Sequence, residues 1–214
     1  MEFIIRLERP EDVIAVEALT REAFWNLHVP GCSEHLAARQ LRASRDFLPE
    51  LDLVAVDDGR VIGNIMFTRS RVVGSMNENF ETITFGPVSV LPECQNRGVG
   101  RLLIERGLTL ARETGHSAVI IYGNPDYYKK YGFRPGRDYG ILTADGKYHA
   151  ALLVLPLVPG ALNGVSGRFL ESEAFETDPL QLDAFERLFP PREKLVTPSQ
   201  ADFARIASMV EDAP

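Results

Sequence analysis

Apolar positions along this chain switch between two spacings, and the switches mark its elements. Phe3 to Leu7 alternates, as a half-buried strand does. Pro10, followed by Glu11 and Asp12, opens a helix, and Val13, Val16, Leu19, Ala23, Phe24 and Leu27 give it an apolar stripe at helical spacing. Pro30-Gly31 breaks that helix, and Ser33 is placed to cap a second one through Leu36, Ala37, Gln40 and Leu41. Leu51 to Val56 and Val61 to Phe67 read as strands joined through Asp57-Asp58-Gly59-Arg60, a hairpin signal. After a turn at Gly74 to Asn79, Thr82 to Val90 predicts a strand. Val99 to Glu113 predicts a long amphipathic helix ended at Thr114-Gly115. Ser117 to Tyr122 is an apolar, β-branched run of buried-strand type. Tyr139 to Leu142 and Ala150 to Leu157 predict a last hairpin around Ala144-Asp145-Gly146-Lys147.

Pro156, Pro159 and Gly160 mark a boundary. It divides the chain into a core domain, 1–158, and a C-terminal extension, 159–214, expected to pack on that core. Within the extension, Ser166 to Phe175 reads as a strand. Pro179 to Phe189 and Pro198 to Val210 read as helices separated by Pro190-Pro191, with Thr197 capping the second.

Composition adds bounds. The 214 residues are 45% hydrophobic and 25% charged, enough for one sizeable core with an appendage. A net charge of -7 argues against a nucleic-acid binder, which shows a basic face. Two cysteines, Cys32 and Cys94, make no disulfide framework and fit a reducing cytosol. No apolar run approaches the ~18 residues of a membrane span, and Met1-Glu2-Phe3 runs straight into a strand with no leader. These features predict a cytoplasmic protein, monomer or homodimer, without membrane or nucleic-acid partners.

The chemistry concentrates in Val90-Leu91-Pro92-Glu93-Cys94-Gln95-Asn96-Arg97-Gly98-Val99-Gly100-Arg101. A strand stops at Pro92, and a short polar loop closes on two glycines and opens directly into a helix. The first amides of a helix lack intrahelical partners, and the helix dipole adds partial positive charge there. Gly98 and Gly100 let an anion approach the backbone, and Arg97 and Arg101 add cationic charge, so Asn96 to Arg101 reads as a pyrophosphate cradle. A P-loop would need Lys-Ser or Lys-Thr after the glycines, and a dinucleotide fingerprint would need glycine where Leu103 stands. Alone, the loop is also compatible with an ordinary glycine-containing helix start.

The pattern Gln95-x-x-Gly98-x-Gly100 resembles the acetyl-CoA pyrophosphate loop of the GNAT superfamily of N-acetyltransferases. A second motif supports the resemblance: Gly123-Asn124-Pro125-Asp126-Tyr127-Tyr128-Lys129-Lys130-Tyr131-Gly132-Phe133 follows the strand at 117–122 in family order. Phe24-Trp25-Asn26, Val29-Pro30-Gly31-Cys32, Phe47-Leu48-Pro49-Glu50-Leu51 and Thr84-Phe85-Gly86-Pro87-Val88 are similar to the YhbS-like branch, over most of residues 1–158. The fold this implies is α/β: a mixed, mostly antiparallel sheet splayed near its middle, helices on both faces, and a C-terminal extension.

The resemblance implies an acetyl-CoA-dependent N-acetyltransferase in which an amine of a small molecule or protein attacks the thioester directly. The alternative is a non-catalytic acyl-CoA-binding module. Acetyl-CoA would be held by Val88, Val90, Gln95, Asn96, Arg97, Gly98, Val99, Gly100, Arg101, Asn124 and Tyr128. The Val90 amide would donate to the thioester oxygen, and Tyr128 would protonate the departing thiolate, since tyrosine is protonated at neutral pH. Asn124 either contacts the pantetheine amides or caps the short helix. Tyr127 and Tyr131 read as packing residues. The loop between the first two helices borders the acceptor in this family, so Trp25, Asn26, His28, Cys32 and Glu34 are expected to face it, with core packing an equal reading for Trp25. Where some members carry a basic Glu, this chain has Thr84, which leaves the base open among Glu81, Glu34, His28, His35, water and backbone. His28, Cys32 and His35 are not a standard zinc set, so no metal is expected.

Overall fold

The computed structural model describes residues 2–213. Its strands and helices, in chain order, are β1 (Ile4–Leu7), α1 (Val13–Phe24), α2 (Glu34–Ala43), β2 (Leu53–Asp57), β3 (Arg60–Val73), β4 (Asn79–Val90), α3 (Val99–Glu113), β5 (Ala118–Tyr122), α4 (Pro125–Tyr128), β6 (Arg134–Pro135), β7 (Ile141–Leu142), β8 (Lys147–His149), β9 (Leu152–Pro156), β10 (Gly167–Leu170), α5 (Pro179–Glu186), α6 (Pro198–Ala207) and β11 (Val210–Asp212). The main sheet runs β1-β2-β3-β4-β5-β9-β6, and β10 joins β3 and β7 at its side. It is antiparallel except at β4–β5 and β7–β10.

Strand β3 is long enough to serve two neighbours on one edge. Its first half pairs with β2 and its second half, Arg71 to Val73, pairs with β10. Helix α3 packs on this sheet through glycine contacts. A Cβ at Gly63 would lie 2.9 Å from Val99, and one at Gly107 2.8 Å from the Phe67 ring. That close approach buries Leu103, Ile104, Leu108 and Ala111 among the strand residues Ile65, Phe67 and Ile83. On the other face, Phe169, Leu162 and Ile141 cover the β5–β9 half through Ala118, Ile120, Leu152 and Val154.

β4 and β5 are in register only at Ile83 and Val119. Beyond that point β4 continues to Val90 while β5 ends at Tyr122, so the sheet splays and leaves a gap between them.

Residues after 158 are woven into the fold. β10 adds to the main sheet, and β11 pairs with β8 in a two-stranded sheet. α5 is fastened to the first two helices. The buried Arg21 guanidinium donates to both Glu186 carboxylate oxygens at 2.8–3.1 Å, and His35 stacks on Phe185 at 5.1 Å.

The expected last hairpin takes another form. β6 occupies the outer edge of β9, so β7 has no place beside β9 and pairs in parallel with β10 instead. The tight turn at Gly136 fixes this, since a Cβ there would meet the Ile141 carbonyl at 2.9 Å and Leu152 at 3.2 Å. Two expected caps also differ. Ser33 makes no side-chain cap on α2, and its N–H instead donates to the Glu34 carboxylate at 3.0 Å. Thr197 Oγ1 donates to the Asn26 carbonyl at 2.7 Å rather than capping α6.

Candidate active site

A cleft of about 940 Å³ passes through the splay. One half is built by the loop after β4. Gly98 has φ +86°, a left-handed conformation that glycine adopts without strain, and a Cβ placed there would meet nothing within 4 Å. α3 starts immediately after it, and its first intrahelical bond runs from Leu102 N–H to the Gly98 carbonyl. The amides of Val99, Gly100 and Arg101 therefore precede the helical ladder. No side chain caps them, and the first turn holds no acidic residue. An uncapped helix N-terminus open to a cleft favours an anion, so the residues fit a pyrophosphate.

The strand edge supplies a second donor. Leu91 N–H donates to the Ile62 carbonyl of β3. Strand alternation then turns the polar groups of Val90 the other way, into the gap. The Gln95 side chain agrees, donating to the Val90 carbonyl at 3.1 Å from that side. Val90 N–H shares that direction.

Across the gap stands Tyr128. Asn124 caps α4, its Oδ1 accepting from Asp126 N–H at 2.9 Å, and the Tyr127 and Tyr128 amides donate to the Asn124 carbonyl. The Tyr128 ring lies against Gly123, where a Cβ would come within 2.4 Å of it. Phe85, Tyr127 and Phe133 surround the ring at centroid distances of 5.0–5.9 Å. Burial pushes the Tyr128 hydroxyl well above its ordinary value, so it holds its proton throughout the physiological range. Tyr127, expected to pack, lines the cleft as well, with its hydroxyl near Gly100.

The other half of the cleft lies toward α1, α2 and the C-terminal segment. Its wall includes Phe24, Leu27, His28, Glu34, Phe85, Tyr122, Glu171 and Phe175. His28 Nδ1 lies 3.2 Å from a Glu34 carboxylate oxygen, and the His28 ring stacks on Phe203 of α6 at 4.5 Å.

The cleft thus brings together Val88, Val90, Gln95, Asn96, Gly98, Val99, Gly100, Arg101, Asn124 and Tyr128 with His28 and Glu34. Four residues expected at the site stand outside its lining. Trp25 is buried, its Nε1–H donating to the Glu193 carbonyl at 2.9 Å and its ring facing the Arg21 guanidinium. Asn26 has φ +60° and its side chain holds Gly31, Glu193 and Leu195. Cys32 is buried 3.5 Å from His35 Nδ1, and desolvation raises its thiol far above the ordinary value. These three fasten residues 193–195 and α2 and lie outside the cleft lining. Arg97 is exposed and also outside the lining.

Thr84, which stands where some family members carry a basic Glu, lines the cleft wall. Glu81 lies in an adjoining polar recess of about 270 Å³. His35 is fully buried, its Nε2 2.7 Å from Glu186, and burial lowers its pKa against the opposing pull of that carboxylate. Glu171 was not singled out by sequence, because it sits in an ordinary polar run, Glu171-Ser172-Glu173, with no motif around it. Among the described residues, no group of three or more His, Cys, Asp or Glu is disposed to hold a metal ion.

Known proteins match this chain throughout most of its length. A family model for the acetyltransferase (GNAT) domain matches residues 5–136. The N-acetyltransferase YhbS of Escherichia coli (strain K12) is 32% identical over 165 residues, 77% of this chain and 93% of that protein. The crystal structure of E. coli YhbS in complex with CoA superposes with a TM-score of 0.72 at 29% identity, covering 82% of this chain and 92% of that one. A GNAT family acetyltransferase from Brucella melitensis in complex with acetyl-CoA gives a TM-score of 0.66 at 28% identity, covering 82% and 99%.

Proposed function

The chain belongs to the GNAT family of acetyltransferases and is an acetyl-CoA-dependent N-acetyltransferase, and from that premise we propose that an acceptor amine attacks the thioester directly inside the cleft. The pyrophosphate rests on the amides of Asn96 to Arg101. Pantetheine runs through the splay beside Val88 and Asn124, which brings the thioester between Val90 and Tyr128. As the nitrogen attacks, charge grows on the carbonyl oxygen, and a fixed Val90 N–H aimed into the gap stabilises it. The C–S bond then breaks with its electron pair on sulfur, and Tyr128 supplies the proton that makes the leaving group a neutral thiol. The observation that carries this reading is that Val90, Tyr128 and the uncapped start of α3 line one cleft in the splay.

Tyr128→Phe tests it, because the ring's packing stays and only the hydroxyl goes. An acceptor is first identified by screening amines for release of CoA thiol. Turnover of the variant is then expected to fall about 10²–10⁴-fold with CoA affinity nearly unchanged. Wild-type turnover in the variant, measured where chemistry limits the rate, removes Tyr128 as the acid.

A further inference from the structure

The acceptor half of the cleft has a wall that no part of the CoA chemistry uses. Glu171 follows directly on β10 and is delivered there by the C-terminal segment, since Leu170 is in register with Arg71 of β3. It lines the main cleft and the polar recess behind it. The other carboxylate of that half is already occupied: one Glu34 oxygen faces His28 and the other accepts from Ser33 N–H. Among the described residues Glu171 forms no ion pair and no side-chain hydrogen bond, and Glu176 is the charged group that bears on it. The same cleft carries aromatic surfaces from Phe24, Tyr122 and Phe175.

We propose that Glu171 receives the acceptor: its carboxylate holds a primary ammonium carried on an apolar or aromatic body, and takes the proton that the nitrogen must lose before it attacks. The proposal rests on the direct-attack reading above. A carboxylate that makes no ion pair, in a cleft that also carries aromatic rings, favours an ammonium both by charge and by the ring faces. Acetylation then balances as follows. The ammonium gives one proton to Glu171, which passes it through the polar recess to solvent. The free lone pair forms the N–C bond, the C–S bond breaks, and sulfur takes the Tyr128 proton. The second nitrogen proton restores Tyr128, so one proton is released for each amide and thiol formed.

The Glu171 side chain is exposed to the cleft, yet the protein around it and the neighbouring Glu176 carboxylate disfavour its charged form and push it up to about 7, within reach of neutral pH. The ionisable groups that share the cleft lining with it are His28, Glu34, Arg101, Tyr122, Tyr127, Tyr128 and Lys130. Those that share the recess lining are Asp46, Arg69, Arg71, Glu81 and His116.

Calorimetric titration into CoA-saturated protein tests the proposal without turnover. The probe is 2-phenylethylamine, and its neutral control is 2-phenylethanol, the same shape without the charge. Wild type is expected to bind the amine at least tenfold more tightly than the alcohol. That preference should grow from pH 5 to pH 8 as Glu171 ionises, because the probe stays an ammonium over this range. Glu171→Gln, and Glu171→Ala as a second variant, should abolish both the preference and its pH dependence while leaving CoA affinity unchanged. A wild type indifferent to the amine, or a folded variant that keeps the preference, overturns the proposal and leaves the CoA reading standing. Failure of wild type to bind CoA overturns that reading instead.

Discussion

Asp52 shows how much one side chain's surroundings decide. It is only 3% exposed, accepts from Asn64 Nδ2 at 3.0 Å, and sits beside Glu8, so desolvation first and the neighbouring carboxylate second raise its pKa. The folded chain therefore keeps a proton that the unfolded chain releases above its ordinary value of about 4. Where the folded state binds more protons, stability falls as pH rises, from that ordinary value up through the raised one. Asp52→Asn should flatten this fall in denaturant midpoints measured across the range, and an undiminished slope would contradict the assignment. At this scale the sequence was legible wherever chemistry is local. Gly98, Gly100 and Tyr128 announce themselves through neighbours within a few positions. Trp25, Asn26 and Cys32 did not, because what they touch, residues 193–197 and His35 beside Glu186, is chosen by tertiary packing. Glu171 gave no local sign, since only the β10–β3 register carries it to the cleft.

Among the elements, α3 was readable to its ends. Its apolar stripe, the glycine before it and Gly115 after it at φ +86° all act within a turn or two. What periodicity does not show is how close the helix sits. The missing Cβ at Gly107 admits the Phe67 ring, which is itself fully buried and has no room to retreat. Gly107→Val should lower stability by about 1–3 kcal/mol through overpacking, more than the gain of up to about 1 kcal/mol that leaving glycine brings a helix. Thermal or denaturant unfolding checks the sign, and a variant as stable as wild type would mean that α3 rides higher on the sheet. The short strands were the least legible elements. β7 and β8 hold two and three residues, too few to display a period, and their partners β10 and β11 lie far along the chain.

Taken whole, the molecule is a sheet opened along one seam, and on the reading proposed above CoA and the acceptor enter its gap from opposite halves. The seam follows from β4 and β5 sharing a single register position before they part. Its closure on the acceptor side belongs to residues after 158: Glu171 and Phe175 form part of the wall, and Phe203 stacks on His28. Arg21–Glu186 and the Asn26 contacts hold that segment down.

The central claim, that the uncapped start of α3 cradles acetyl-CoA, is tested most directly by calorimetric titration of CoA into wild type and Gly100→Val. Gly100 suits the test better than Gly98. Its backbone does not need a positive φ, and a Cβ there meets the Val90 side chain at 3.5 Å and the Tyr127 hydroxyl at 3.9 Å, ordinary van der Waals contacts. The wild type should bind one CoA per chain, and the variant, with unchanged circular dichroism and melting, should bind at least tenfold more weakly, about 1.4 kcal/mol. Equal affinity in the folded variant, or no binding by wild type, would contradict the account.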